Sequence, residues 1–244
     1  MNSQIPCRTC PLRSTGAFST NSDAEIDFIQ AIKQRQRQVA AGSGIVREGD
    51  PNSALFTLLT GWAFRYRTLS DGRRQIFNFL LPGDFIGLQH QLGQASSHGV
   101  EALTDLTLCV FPNERLWDIY REHPALGFDI TWLCAHEELI VDENLLSVGR
   151  RSASERIAML LIHLYKRAES VGMGDAGGVP FPLTQQHIAD ALGLSLVHTN
   201  KTLKRLQAQG LYTLRNGRLK LTNPAAMARL ADYYALPLRA RPLI

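Results

Sequence analysis

FPLTQQHIADALGLSLVHTNKTLKRLQAQGLYTLRNGRLKL, residues 181–221, carries the strongest structural pattern in this chain. Ile188 and Leu192 recur at helical spacing, and Gly193 suits the sharp turn that ends a short helix. A second helix begins behind Ser195, because serine caps helix N-termini. The pattern therefore predicts two short helices joined by a tight turn, which is a helix-turn-helix.

The second predicted helix separates into two faces. Thr199, Leu203 and Leu206 recur at spacings of four and three, so we expect them to face the domain core. The opposite face is a candidate reader of base edges in the major groove of DNA, with the remaining polar residues as phosphate contacts. The predicted DNA-contacting residues are Thr184, Gln185, Gln186, Ser195, Val197, His198, Asn200, Lys201, Lys204, Arg205 and Arg218.

A hairpin follows the second helix. Asn216-Gly217 is a strong two-residue turn signal, and short apolar runs flank it on both sides. Arg215, Arg218 and Lys220 put positive charge on this hairpin. We therefore expect a wing beside the helix-turn-helix, with its charge near the DNA backbone.

Charge divides the chain into two parts. Residues 1–149 hold 12 Lys and Arg against 17 Asp and Glu, a net −5, whereas residues 150–244 hold 14 against 5, a net +9. A cationic domain gains affinity for DNA by releasing counterions from phosphates. A solvated basic face is the alternative explanation, but here the charge coincides with the helix-turn-helix rather than with a disordered tail.

Length and composition place the chain among soluble two-domain proteins. It has 244 residues, 45% of them hydrophobic, and no apolar run approaches the roughly 18 residues of a membrane span. The first residues lack the apolar stretch of a secretion signal, so we expect a cytoplasmic location and no membrane partner. Four cysteines are too few for a disulfide framework, which leaves free thiols, metal ligands or redox sensors.

The N-terminal half is rich in short strands. A surface helix is predicted over residues 24–38, and Gly, Pro, Asp and Ser turns separate the strand-like runs that follow it. Such a pattern favours a sandwich or double-sheet barrel over a parallel sheet. The predicted strands cover residues 45–46, 55–59, 62–68, 75–80, 100–102 and 106–111.

A long helix is predicted between the two halves, over residues 124–149. Its apolar stripe could pack on its own barrel, but a helix that links two domains has exposed length, so we expect a twin helix in a homodimer. The residues Gly149 to Ser152 then form a hinge. The predicted dimer-contacting residues are Ile130, Leu133, Ile140, Asn144 and Val148.

Four stretches resemble the Crp/Fnr family of bacterial transcription regulators: residues 61–66, 71–76, 81–87 and 154–158. The resemblance spans nearly the whole chain. It implies an α+β protein with an N-terminal double-stranded β-helix (a jelly roll, cyclic-nucleotide-binding-like), a long dimerisation helix and a C-terminal winged helix-turn-helix. The expected boundaries are a cysteine-containing segment 1–22, a β-roll sensor domain 23–122, the dimerisation helix and hinge 123–150, and the DNA-binding domain 151–244.

The same resemblance implies a function. Members of the family bind inverted-repeat operators as homodimers and act with RNA polymerase, so these partners are expected here. The cyclic-nucleotide branch holds its ligand's phosphate with an Arg, and residues 93–101, where that Arg should stand, contain none. A phosphodiester without this charged partner loses a strong hydrogen-bonded pair, so control by cyclic AMP is not implied.

The sequence of this chain resembles the oxygen-sensing branch of the family at more positions. Its members hold an iron–sulfur cluster through three N-terminal cysteines and one barrel cysteine. Cys7, Cys10 and Cys109 resemble three of these ligands, and Cys134 is the candidate for the fourth. An iron–sulfur cluster, a thiol or disulfide switch, and no redox role all remain open, as do an unidentified small-molecule effector and constitutive DNA binding.

Two other classes of protein fit this sequence less well than a DNA-binding regulator does. An enzyme with a cupin-like metal site would need a His-x-His pair with downstream Glu and His, and no such pattern occurs. A signalling module whose winged helix binds protein would not need the positive charge of residues 150–244. Both alternatives are weaker than a DNA-binding regulator.

Overall fold

The computed structural model describes residues 4–51, 54–89, 95–233 and 240–244. The chain forms two compact units. The first unit contains Met1–Arg65, Leu80–Leu139 and Leu238–Ile244, and the second contains Tyr66–Phe79 and Ile140–Pro237. Within the described ranges, no helix combines the length and the apolar character needed to cross a membrane.

Two four-stranded sheets build the jelly roll. One has the order β1-β8-β3-β6 and the other β2-β7-β4-β5, and the paired strands whose register is known run antiparallel. This confirms the double-sheet architecture expected from the sequence. The strands are β1 Arg35–Val39, β2 Gly44–Val46, β3 Leu55–Thr60, β4 Ala63–Thr68, β5 Arg74–Leu80, β6 Phe85–Ile86, β7 Gly99–Ala102 and β8 Leu106–Phe111.

Apolar side chains from both sheets fill the space between them. Leu58, Val100 and Leu108 are completely buried there, because alternate residues of a strand point to the same face. Gly61, which precedes β4, has φ +88°, and a Cβ at this position would lie 2.5 Å from the carbonyl oxygen of Asp105. Only glycine fits this approach of two backbones.

The first helix is shorter than predicted. Helix α1, Asp23–Ile32, begins at a capping box in which Ser22 and Glu25 bond each other's backbone N–H groups. Residues 35–38, the end of the predicted helix 24–38, instead belong to strand β1, which pairs with β8. The prediction was wrong here because ladder bonds to a distant strand outweigh the helix propensity of Gln and Arg.

Two helices follow strand β8. They are α2, Leu116–Glu122, and α3, Pro124–Arg150, which closely matches the long helix predicted from the sequence. A second apolar cluster in the first unit unites α1, α2 and the start of α3 with the outer face of β3 and β8. Its buried members are Cys7, Ile29, Ile32, Leu55, Phe85, Phe111, Ile119, Leu126, Ile130, Leu133 and Ile244.

The stripe of α3 that was expected to face a partner packs inside its own chain. Ile130, Leu133 and Ile140 are 1%, 6% and 8% exposed, and the side-chain amide of Asn144 donates to the carbonyl of Phe77 at 2.6 Å. Val148 is half-buried. The alternative explanation, packing on the barrel of the same chain, therefore accounts for this stripe. A different row of α3, formed by Phe128, Leu139 and Leu146, is left exposed, and so are Val141 and Leu145 on a neighbouring face.

Besides parts of β4 and β5, the second unit contains a helical domain with a small sheet. Its core lies between α4, the helix-turn-helix and the hairpin, where Ile157, Leu206 and Leu219 are nearly or fully buried. The helix-turn-helix and the wing were predicted, whereas β9 and α7 were not. The elements are α4 Ala153–Ser170, β9 Val179–Pro180, α5 Gln185–Leu192, α6 Leu196–Ala208, β10 Tyr212–Arg215, β11 Arg218–Leu221 and α7 Pro224–Ala231.

The boundary expected at 151–244 does not hold at its far end. Leu238–Ile244 belongs to the first unit, although it follows the entire second unit in sequence. Leu243 and Ile244 are 2% and 5% exposed there, and Arg241 pairs with Asp84. This return could not be predicted from local sequence, because hydrogen-bond partners of the segment, such as Asp84 and Thr57, lie more than 150 positions earlier.

Candidate DNA-binding surface

The turn between α5 and α6 is held by local hydrogen bonds. Thr184 accepts from the backbone N–H of His187 at 3.2 Å, and the ring of His187 accepts from the N–H of Thr184 at the same distance. Gly193 ends α5 in the left-handed conformation, with φ +62°. The Ser195 hydroxyl then accepts from the N–H of His198 at 3.2 Å and starts α6. Each end of the turn is therefore fixed by a side chain or a glycine.

Helix α6 has the two faces that its sequence predicts. Thr199 and Leu206 are 0% and 1% exposed, while Val197 is 80% exposed. Lys201 and Lys204 are also exposed. One side of the helix is thus committed to the core of the second unit, and the other side carries an apolar residue and two cations that face solvent.

Several predicted contact residues are engaged within the chain. The side chain of Gln186 donates to Asp190 at 2.6 Å, and Arg205 donates to the hydroxyl of Ser154. The side-chain oxygen of Asn200 is buried and has no hydrogen-bond partner among the described residues. These residues lie at the edge of the exposed face, so Val197, His198, Lys201 and Lys204 form its centre, with Gln185 exposed on α5.

The wing presents less charge than expected. Asn216 and Gly217 have φ of 51° and 70° and form the tight turn predicted for them. Arg218, however, pairs with Asp175 at 2.7 Å and donates to the carbonyl of Gly178 at 2.6 Å. Its side chain is thus held by the loop before β9 rather than presented to DNA.

Arg215 carries the positive charge at the tip of the wing. Lys220 is exposed but donates to the carbonyl of Ala176 at 3.1 Å, so it too is tied to the loop before β9. Arg215, at the tip of the hairpin, is exposed. Arg215 is therefore the better candidate for a phosphate contact, although it is not among the DNA-contacting residues predicted from the sequence.

Cys7, Cys10 and Cys109 lie close enough in the first unit for their charges to interact. The backbone N–H of Cys7 donates to Gln30 at 2.7 Å, and the Cys109 sulfur lies 3.9 Å from the amide nitrogen of Gln36. Burial raises the pKa of the Cys109 thiol to about 11, with smaller contributions from Cys7 and Cys10. Burial also raises the pKa of Cys7, although Lys33 opposes this rise. These surroundings favour protonated, weakly nucleophilic thiols.

The fourth candidate ligand is placed elsewhere. Cys134 is exposed on α3, whereas Cys7 is buried and Cys109 is partly buried in the cluster beside β8. Across residues 4–51, 54–89, 95–233 and 240–244, no group of three His, Cys, Asp or Glu side chains is arranged to hold a metal ion. Since a thiolate cluster needs every ligand at bonding distance, these residues do not fit the iron–sulfur site that the resemblance implied.

Comparison with known proteins identifies both domains. A family described as the cyclic nucleotide-binding domain matches residues 36–123, and the Crp-like helix-turn-helix domain matches residues 155–230. The match to the first domain covers nearly all of the jelly roll, together with α2. The match to the second covers nearly all of α4, the helix-turn-helix, the wing and nearly all of α7.

Similar proteins cover most of the chain. The nitrogen fixation regulation protein FixK of Bradyrhizobium diazoefficiens is 30% identical over 92% of this chain and 93% of its own length. The transcriptional activator FnrL of Cereibacter sphaeroides is 29% identical over 87% of this chain and 86% of its own. The structure of FixK2 from Bradyrhizobium japonicum superposes with a TM-score of 0.72, at 27% identity, over 83% of this chain and 98% of FixK2. These relatives are regulators rather than enzymes, and the chain belongs to the Crp/Fnr family of transcription regulators.

Proposed function

We propose that this protein regulates transcription by binding an inverted-repeat DNA site as a homodimer in the cytoplasm. The observation that carries the proposal is α6, a helix fixed at its start by Ser195 and buried along one side, with Val197, Lys201 and Lys204 exposed on the other. A helix of this kind fits the major groove. Its surroundings carry the excess of positive charge found in residues 150–244.

Three residues of α6 are proposed to read bases. Lys201 can donate to the O6 and N7 acceptors of guanine, and Val197 can contact the methyl group of thymine. Asn200 can pair with adenine, provided that its partly buried side chain turns outward on binding. Each good contact of this type contributes about 1–3 kcal/mol of discrimination.

The remaining candidates are proposed to hold the backbone of the duplex. Lys204, Gln185 and Arg215 are exposed and can reach phosphates, which fix register without reading sequence. The caps Thr184 and Ser195 position the N-termini of α5 and α6, where backbone N–H groups favour an anion. Gln186, Arg205 and Arg218 would first have to leave their intramolecular partners.

The proposed dimer contact is the exposed row of α3. Phe128, Leu139 and Leu146 are 69%, 65% and 48% exposed in the single chain, and together they form an exposed apolar row. Phe128 to Leu139 to Leu146 follows the 3.5-residue spacing of helices that wrap around each other. A second copy of α3 would cover this row, and it replaces the buried stripe as the proposed interface.

Control is proposed to act through the first unit, with RNA polymerase as the partner that reads the outcome. One relative, from Pasteurella multocida, is named an anaerobic regulatory protein. The four cysteines of this chain do not fit a cluster. A change at the Cys7, Cys10 and Cys109 thiols, or an effector bound elsewhere in the first unit, would control DNA binding instead.

The test is a salt titration of DNA binding. Fluorescence anisotropy of the purified chain with a random duplex should show an affinity that falls steeply between 50 and 200 mM salt, by about tenfold or more if several phosphates are neutralised. Selection from a random library should then return inverted repeats. Absence of salt-sensitive binding to any duplex, with and without air, would overturn the proposal.

A further inference from the structure

A turn near the start of the described chain carries two cysteines. Residues Cys7–Thr9 form a single turn of 3-10 helix, and the backbone N–H of Cys10 donates to the carbonyl of Cys7 at 3.4 Å. In such a turn, residues three apart lie on the same side and about 6 Å from each other along the axis. A disulfide needs α-carbons about 4.4–6.8 Å apart, so the turn brings the two thiols within bridging range.

Hydrogen bonds hold this turn against α1. The backbone N–H of Cys7 donates to the side-chain oxygen of Gln30 at 2.7 Å, and the carbonyl of Cys7 also accepts from Nε of Arg13 at 3.1 Å. Between the two cysteines, Arg8 donates to Asp27 through two nitrogens, at 2.9 and 2.6 Å. The turn is therefore a seated part of the first unit rather than a loose tail.

The two thiols differ in exposure. Cys7 is 8% exposed and belongs to the apolar cluster of α1, α2 and the start of α3, whereas Cys10 is partly exposed. An oxidant in solution therefore meets Cys10 first, with Cys7 behind it. Redox-sensitive cysteines are typically solvent-accessible and lie beside a second cysteine that resolves the oxidised sulfur.

A buried cation lies beside Cys7. Lys33, which follows α1, is 7% exposed, and its ammonium donates to the carbonyl of Ile5 at 2.9 Å. Burial raises the pKa of the Cys7 thiol, while the charge and hydrogen bond of Lys33, followed by the charge of Arg13, oppose that rise. The resting thiol is thus protonated, but the cation stabilises the thiolate that forms when Cys7 attacks an oxidised sulfur.

Cys109 is a less suitable partner for either thiol. It lies on β8, far away in sequence, so no local turn fixes its distance from Cys7 or Cys10. Burial raises the pKa of Cys109 to about 11, which leaves its thiol almost entirely protonated near neutral pH. A protonated thiol attacks slowly. The pair that shares one turn is therefore the better candidate for a disulfide.

We propose that Cys7 and Cys10 are a redox-active dithiol that closes to a disulfide when a peroxide oxidises the chain. The inference rests on the proposed function, since it names the chemistry by which the first unit would control DNA binding. The Cys10 sulfur takes one oxygen from the peroxide and becomes a sulfenic acid, and the remainder leaves as water or an alcohol. The Cys7 sulfur then attacks the Cys10 sulfur and the S–O bond breaks. The departing hydroxide takes the proton of Cys7 and leaves as water.

Closure of the disulfide would change the cluster in which α3 begins. The Cys7 sulfur would turn toward Cys10 and away from this cluster, which also contains Leu126, Ile130 and Leu133 of α3. Another face of α3 carries the row proposed for the twin helix. We therefore expect the oxidised chain to dimerise less tightly and to bind an inverted repeat about fivefold or more weaker, the low end of typical coupling between two sites.

Peptide mapping tests the pair without any DNA. The chain is treated with hydrogen peroxide, its free thiols are alkylated, and trypsin then cleaves after Arg8, between the two cysteines. Residues 1–8 and 9–13 should remain joined until a reductant is added. A join of either peptide to the one that carries Cys109, or no join at all, would overturn the proposal. The tryptic peptides of the other two cysteines are residues 75–115 and 122–150.

Fluorescence anisotropy measures the effect on DNA in the full chain. Peroxide should lower the affinity of the wild-type chain for the inverted repeat by about fivefold or more, and a dithiol reductant should restore it. Cys10→Ser removes the partly exposed thiol, so its affinity should not change with peroxide. Cys134→Ser, the same change at the exposed cysteine of α3, is the matched control and should respond to peroxide as the wild type does.

The outcomes separate the dithiol from the proposed function. If the wild-type chain binds no duplex in either state, the proposed function fails and control by the pair fails with it, whereas the peptide map alone decides whether the disulfide forms. If the disulfide forms but the affinity is equal in both states, the pair has no part in control and the proposal is wrong. Peroxide that weakens Cys10→Ser as much as the wild type would also contradict it, since the oxidation would then act at another residue.

Discussion

Two lysines on α6, three residues apart, are expected to act differently on DNA. Lys201→Ala should relax the preference for one base, since Lys201 is placed to reach a base edge, and cost about 1–3 kcal/mol at the preferred site. Lys204→Ala should weaken binding to all sequences alike. Gel shifts with the selected duplex and with single-base variants of it distinguish the two, and indistinguishable profiles would contradict the assigned roles.

Cys109 is expected to react slowly with alkylating agents near neutral pH. With a pKa of about 11, only about one thiol in a thousand is ionised at pH 8, and the thiolate is the reactive form. Its rate with iodoacetamide should therefore rise about tenfold per pH unit up to about pH 11.

The alkylation experiment contains its own reference. Mass spectrometry of the native chain after a short exposure should find Cys134, which is exposed on α3, labelled before Cys109. Prompt labelling of Cys109 at pH 7, at a rate similar to that of Cys134, would show that its thiol is activated. A thiol-based switch centred on Cys109 would then become the better explanation of control.

Single-residue roles could be predicted from the sequence only where they depend on local spacing. The buried and exposed faces of α6 follow from the positions of Thr199, Leu203 and Leu206, and the structure confirms them. The pair between Arg218 and Asp175 could not be predicted, because 43 positions separate the two residues and their contact depends on how β11 meets β9.

At the level of elements, Gly193 is expected to be required for the turn before α6. Gly193→Ala should destabilise the second unit by about 1 kcal/mol, because φ +62° is unfavourable for a residue with a Cβ, even though the nearest atom, on Val148, is 3.7 Å away. Urea unfolding followed by circular dichroism measures the change. Gly149→Ala, in the last turn of α3 and without neighbours within 4 Å, should be neutral or stabilising.

Helix α3 is expected to lose its partner when its exposed row is charged. Leu139→Glu or Leu146→Glu should shift the chain from dimer to monomer, because each would place an unpaired carboxylate in an apolar interface. Sedimentation velocity measures the effect. Leu69→Glu, at a leucine that is 53% exposed outside α3, should leave the dimer intact. A dimer that survives both α3 changes would show that the interface lies elsewhere.

The faces of α3 show what the spacing of apolar residues cannot predict. The sequence identified a long helix and one apolar stripe, but the helix carries a second apolar row, and only the folded chain shows which row its own unit covers. Ile130 and Leu133 pack in the cluster at the outer face of β8 and β3, while Leu139 and Leu146 are 65% and 48% exposed. The helix predicted for residues 35–38 was wrong for a related reason. These residues form strand β1, and its partner β8 lies about 70 residues away.

For the whole molecule, the distribution of charge can be predicted from the sequence, whereas the assignment of the last residues to a unit cannot. The division of charge at residue 150 is a property of composition, so it was visible before any fold was known. The return of Leu238–Ile244 to the first unit depends on Asp84, Thr57 and the apolar cluster, all far away in sequence. A linear assignment of domains therefore covers the helix-turn-helix and the wing but misses the return of Leu238–Ile244 to the first unit.

The dimer as a whole is expected to measure the distance between half-sites. Two symmetry-related α6 helices should enter successive major grooves about 34 Å apart, one turn of the duplex. Insertion of about 5 base pairs at the centre of the selected repeat turns one half-site to the opposite side of the DNA, so the affinity should fall to that of a half-site alone. Insertion of about 10 base pairs restores the face but doubles the distance, and should restore binding only in part.

The spacing experiment separates a dimer from two independent chains. Anisotropy with the spaced duplexes gives the affinities, and sedimentation gives the number of chains on each duplex. If the chain binds every spacing equally well, each winged domain acts alone, and the exposed row of α3 has no role on DNA. If only the native spacing binds tightly, the two recognition helices are held at a fixed separation before they meet the operator, which requires a rigid α3 pair rather than flexible linkage.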